Sequence, residues 1–171
     1  RPHREVFYIG IDSCVPDMEI ESRTSRIPLI REAYDDAVLG EKIKEKLSFI
    51  MHRNYGDFIN YWNERKSYKG LTYGAVQYPS LYMGAGEQRI IKFLETIYSI
   101  PDYSLILIDE LDLTLHTEAL LRLMQVLNDE CNTRNIQIVF TSHREELLDC
   151  NFINIRHLVN DTNGKTSICL E

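Results

Sequence analysis

Ser104-Leu105-Ile106-Leu107-Ile108-Asp109-Glu110 is the stretch on which the reading of this chain turns. Four consecutive branched apolar residues are too few for a buried helix and suit a strand covered on both faces. Such a strand sits mid-sheet in an α/β domain, so Asp109 and Glu110 emerge at its carboxyl end, where open parallel sheets bind ligands. Two adjacent acids there suit phosphate chemistry, one holding a magnesium ion and the other orienting and activating a water. The plainer reading is a strand end capped by solvated acids, and the neighbouring sequence decides between them.

The 171 residues amount to one domain or part of a larger one, and an apolar share of 44% supplies a real core. A net charge of −7 argues against a broad nucleic-acid surface, leaving room only for a local basic face. Cys14, Cys131, Cys150 and Cys169 lie far apart with no C-x-x-C pair, the pattern of reduced, mostly buried cytosolic thiols. No apolar run reaches membrane-spanning length and no signal-peptide pattern opens the chain, so a cytoplasmic setting is expected. The sequence begins at Arg1 and enters strand-like Val6-Phe7-Tyr8-Ile9-Gly10-Ile11 at once, which reads as a piece of a larger protein.

Outward from the central strand, residues 1–16 read as a strand (5–12) and a loop through Pro16. Residues 17–82 read as a helical lobe and connection. Within it, 17–28 form a polar surface excursion with Arg23 and Arg26, and Leu29 to Arg53 turn helical with a break at Gly40. Lys42, Lys44, Lys46 and Arg53 interleave with Glu41 and Glu45; a solvated helix face is favoured over a weak DNA contact. Tyr55, Phe58, Tyr61, Trp62 and Tyr68 stand among Arg65, Lys66 and Lys69. Aromatics among bases can stack nucleobases, but at this helical spacing core packing is preferred. Residues 70–80, with alternating Leu71, Tyr73 and Ala75, suit a short strand or an extended connection.

Residues 83–171 carry the strongest pattern. Glu87 to Ser99 is an amphipathic helix with Ile90, Ile91, Phe93, Leu94 and Ile97 on one side. After the Asp109 strand, Thr117 to Cys131 forms a second helix, Ile136 to Phe140 a second buried strand, and Glu145 to Leu148 a short helix. Segments 152–159 and 165–170 form a terminal hairpin over Asn163-Gly164. Strand, helix and strand in this order predict a βαβ unit with a parallel sheet.

Three features recur in order. Met83-Gly84-Ala85-Gly86-Glu87-Gln88 opens a helix, whose exposed N–H groups and dipole bind anions. Asp109 and Glu110 follow. His143 ends the next strand, and parallel pairing brings it to the same edge as Glu110, where an imidazole can donate to a phosphate oxygen. This order resembles the C-terminal half of an ABC-type ATPase head, a P-loop NTPase-type fold, in the SMC/RecF/OLD-like branch. Met83–Gln88 resembles the ABC signature, Leu105–Glu110 the Walker B strand, Leu111–His116 the D-loop, and Thr141-Ser142-His143 the switch-histidine segment. Asp-Glu-Leu-Asp-Leu-Thr-Leu-His (109–116) is similar to the D-E-x-x-x-x-L-H form of OLD-like and defence-associated ATPases, including the Septu-type ATPase found with HNH nucleases and in some retron systems.

The resemblance implies that ATP and Mg²⁺ are bound, with Asp109 holding the metal through water, Glu110 acting as general base and His143 sensing the γ-phosphate. It implies that Met83, Gly84, Ala85, Gly86, Glu87 and Gln88 face the nucleotide of a partner protomer and that His116 lies at the dimer seam. A homodimer, a nuclease partner and DNA are the implied partners, in DNA repair or anti-phage defence. Two departures stand out. The signature serine is replaced by Gly84, and no Walker A loop is present. Gly164-Lys165-Thr166 imitates its tail, but the first glycine would fall on Val159. The isolated 171-residue chain is therefore expected to be inactive. Two other classes stay open: a Toprim-like metal-dependent nuclease or phosphotransferase using Asp109, Glu110, Asp112 and Asp12, and a non-catalytic dimerisation module.

Overall fold

The structure, a computed structural model, describes residues 4–20, 29–63, 66–160 and 166–170. The central apolar run becomes β6 (Leu105–Ile108), the middle strand of a three-stranded sheet. Its neighbours are β1 (Val6–Ile9) and β7 (Gln137–Phe140), and both pair with it in parallel. Ile9, Ile108 and Phe140 lie in register, so all three strands end at one edge. The crossover between β6 and β7 is α4 (Thr117–Arg134), as the order of elements requires.

One face of this sheet is packed. Ile9, Ile106 and Ile108 are buried and join α3 (Ala85–Ser99), α4 and α2 (Ala37–Met51) in a single core. Ile43, Leu47 and Ile50 of α2 meet Ile90, Phe93, Leu94 and Ile97 of α3 and Leu120, Leu123 and Leu127 of α4. Each such side chain contributes roughly 1.5–3 kcal/mol on burial. The opposite face of the sheet is bare: Val6, Tyr8 and Val139 are at least half exposed. The sequence suggested a strand covered on both faces; among the described residues nothing covers this one.

Residues 17–82 also differ from expectation. Those of them that are described do not form a helical lobe. A four-stranded antiparallel sheet, ordered β2 (Ile30–Ala33), β3 (Tyr55–Trp62), β4 (Ser67–Tyr73) and β5 (Val76–Pro79), packs with α2 beside a single short turn of helix, α1 (Asp17–Ile20). Residues 55–62, expected as helix, are strand because aromatic and β-branched side chains fit a pleated, half-buried surface. A register shift between Tyr55 and Phe58 breaks the simple alternation that would have shown it. Tyr55, Phe58 and Tyr68 are buried in the core rather than presented for stacking.

Gly40 does not break α2; an added Cβ there would lie 3.0 Å from the Tyr34 ring, so the glycine lets that ring pack close. Arg23, Arg26, Arg65 and the Asn163-Gly164 turn lie outside the described residues. β8 (Arg156–Asn160) and β9 (Thr166–Leu170) pair antiparallel. Cys14, Cys131 and Cys150 are free and half-buried rather than buried. No helix of the described residues is long and apolar enough to cross a membrane.

Candidate functional site at the carboxyl edge of the parallel sheet

Asp109 and Glu110 leave β6 beside Thr141, which leaves β7. The Thr141 hydroxyl donates to Asp109 Oδ1 at 2.8 Å and accepts from the Glu110 amide at 2.8 Å. One side chain thus fixes both acids, holding the first carboxylate by a hydrogen bond and the second by its backbone. Asp109 Oδ2 makes no protein hydrogen bond among the described residues. Glu110 Oε1 lies 3.8 Å from His143 Nε2; the glutamate side chain is about one-third exposed and the imidazole mostly exposed. The parallel register therefore brings the second acid and the histidine face to face on one edge.

Glu110 has φ +48, in the left-handed region, where a residue with a Cβ is strained. Its carbonyl accepts from Arg89 Nη2 at 2.6 Å and from the Leu113 amide at 3.1 Å. Arg89 Nη2 also donates to the Asp109 carbonyl at 3.1 Å. Arg89 is the site residue that sequence reasoning did not single out, and Thr141 enters it only within the switch-histidine segment, with no role of its own. Arg89 carried a signal: it stands four residues before Phe93 and eight before Ile97, in phase with the apolar stripe of α3.

The signature-like segment is built differently. Glu87 is buried and accepts from the Tyr55 hydroxyl, the Tyr78 hydroxyl at 3.3 Å and the Gly84 amide at 3.2 Å, with Arg53 at 3.4 Å. The tyrosine hydroxyls are pushed up, Tyr78 to about 12, first by burial and then by the Glu87 carboxylate. Gln88 donates to the Met83 carbonyl at 3.1 Å and accepts from the Asp17 amide at 2.9 Å. These two side chains, expected to face a partner's nucleotide, are instead spent inside their own chain. What remains at the helix mouth is backbone: the N–H groups of Ala85, Gly86 and Glu87, which the first helical turn leaves without intrahelical partners. Met83 is buried and Gly84 exposed. Gly86 is needed for close approach, since a Cβ there would stand 2.8 Å from the Thr114 carbonyl. His116 caps α4 and is exposed. Asp109, Glu110 and His143 are thus brought together, while Met83–Gln88 and His116 make no hydrogen bond or ion pair with them among the described residues.

Asp112, the third acid of the nuclease alternative, is buried and faces Arg144 at 3.7 Å, so it acts as a counter-ion within the loop. Asp12 lies back over Gly10, where an added Cβ would meet its Oδ1 at 2.8 Å. Among the described residues no group of three His, Cys, Asp or Glu side chains is arranged to hold a metal. The donor set fits a magnesium ion of another kind, held by one carboxylate and completed by waters and substrate phosphates.

A parallel sheet whose carboxyl edge presents an acid pair and a facing polar strand end is the organisation of a P-loop ATPase. Residues 4–149 match the family described as "AAA domain, putative AbiEii toxin, Type IV TA system", and the chain belongs to that P-loop ATPase family. No curated protein matches this chain.

Proposed function

We propose that this chain is the carboxylate-bearing part of an ATP hydrolase built like the heads of the SMC/RecF/OLD-like branch, in which two protomers close on shared nucleotides. The observation that carries the reading is the meeting of Glu110 and His143 across 3.8 Å at the edge where Asp109 also emerges. Asp109, held by Thr141, would hold magnesium through water; when bound, the ion neutralises phosphate charge. Glu110 takes the proton of the attacking water, and the Nε2 of His143 reads the terminal phosphate beside it. The helix mouth at Ala85–Glu87 offers its N–H groups to a partner's nucleotide, with no serine at Gly84 to add a hydroxyl.

The bare sheet face at Val6, Tyr8 and Val139 is where we place a helix that carries the phosphate-cradling loop at its start, the loop itself lying at the carboxyl edge, because parallel sheets are ordinarily covered on both sides. On this reading the 171 residues alone do not turn over ATP. The family's description, which names a toxin of a type IV toxin–antitoxin system, supports anti-phage defence over DNA repair as the setting; a gated nuclease as effector is part of our proposal. The test is the oligomeric state of the natural full-length protein carrying Glu110→Gln. With ATP and Mg²⁺, light scattering should show dimers accumulating, because the phosphate contacts remain while hydrolysis stalls. A monomer under saturating nucleotide would contradict the shared site.

A further inference from the structure

Arg89 is the largest wholly buried side chain among the described residues, and a charged residue is seldom so enclosed unless it is paired. Burial pushes its pKa down, while Asp112, then Glu110 and Asp109, favour the charged form. Its guanidinium also sits 5.2 Å from the Phe93 ring. Among the described residues Nε and Nη1 have no hydrogen-bond partner, as is also true of Asp112 Oδ1. An apolar side chain in this slot would avoid the desolvation cost. What arginine adds is a single donor nitrogen gripping two successive carbonyls, those of Asp109 and Glu110. The second belongs to a residue held at φ +48, whose amide is pinned by Thr141. A left-handed backbone at a residue with a Cβ persists only when its surroundings over-determine it, and such residues cluster at functional sites.

We infer that Arg89 is a positioning residue of the hydrolytic site: by gripping both carbonyls it locks the backbone that aims the Glu110 carboxylate at its water. The inference deepens the ATPase reading and rests on it. Arg89 is wholly buried and donates to the backbone carbonyls of Asp109 and Glu110, so its effect passes through Glu110. The grip also joins α3 to β6, so the helix whose mouth serves the partner's nucleotide holds the acid of its own edge.

The test is a double-mutant cycle in the natural full-length protein, with ATP turnover and nucleotide affinity measured on each variant. Glu110→Gln comes first; if it leaves turnover intact, the ATPase reading fails before Arg89 is considered. Given a Glu110-dependent rate, Arg89→Lys keeps the charge but loses the planar fork, and kcat should fall by about a hundredfold with KM unchanged. Added to Glu110→Gln, the same substitution should cost little more. If Arg89→Lys does not fold, Arg89→Met with Asp112→Asn removes both buried charges, and the same pattern is expected. Losses that simply multiply, a raised KM at constant kcat, or an unchanged rate would each overturn the inference while leaving the ATPase reading standing.

Discussion

The first turn of α3 and the carboxyl edge of the parallel sheet each carry a glutamate from a short motif. At the helix, Glu87 is 6% exposed and its oxygens are taken by two tyrosine hydroxyls, a backbone amide and Arg53. At the edge, the Glu110 side chain is 31% exposed and faces an imidazole across 3.8 Å, too long for a hydrogen bond. The first carboxylate is satisfied by its own chain and the second is not. Satisfied buried groups confer stability, whereas a strained, partly open acid with unfilled hydrogen-bonding capacity is suited to chemistry. The difference separates a structural glutamate from the candidate catalytic one more sharply than either motif does.

Substitutions can break or sharpen that contrast. Glu87→Ala should cost about 2–4 kcal/mol of folding stability, because the hydroxyls of Tyr55 and Tyr78 lose their acceptor. Arg53, half exposed, regains water and adds little to that cost. Calorimetry should show a melting point lower by roughly 5–15 °C; an unshifted one would make Glu87 dispensable to the fold. His143→Ala should do the reverse. Turnover in the full-length protein falls about ten- to hundredfold, while stability and nucleotide affinity hold, since the ring is mostly exposed. Equal loss of affinity would move His143 from sensing to binding. Gly86→Ala should cost roughly 1–3 kcal/mol by driving a methyl into the Thr114 carbonyl. The smallest effect is expected for Gly84→Ser, where an added Cβ meets nothing nearer than Glu87 Oε2 at 3.9 Å. Stability should change by less than about 0.5 kcal/mol, since serine improves on glycine at an N-cap by only a few tenths.

The parallel half of the molecule was legible because its signals are local and uninterrupted. Four branched residues before Asp109, the apolar stripe of α3 and the run before Thr141 each declare one element. The antiparallel half was not, because its strands mix aromatics, bases and glycines, and a bulge after Tyr55 spoils the two-residue period. The meeting of Glu110 and His143 beside Asp109 at one edge follows from strand order alone. Arg89 and Thr141 do not, because their importance lies in gripping backbone atoms of residues 20 or more positions away. Glu87 shows the opposite failure: its place in a phosphate-like motif hid its tie to the sheet of β3 and β5.

Turnover and nucleotide affinity, measured side by side for the natural full-length protein and its Glu110→Gln variant, test the central claim most directly. The account predicts hydrolysis reduced by about 10²–10⁴-fold with ATP affinity unchanged or tighter, since the water loses its base while the phosphate contacts stay. Undiminished hydrolysis, or loss of binding in step with turnover, would contradict it.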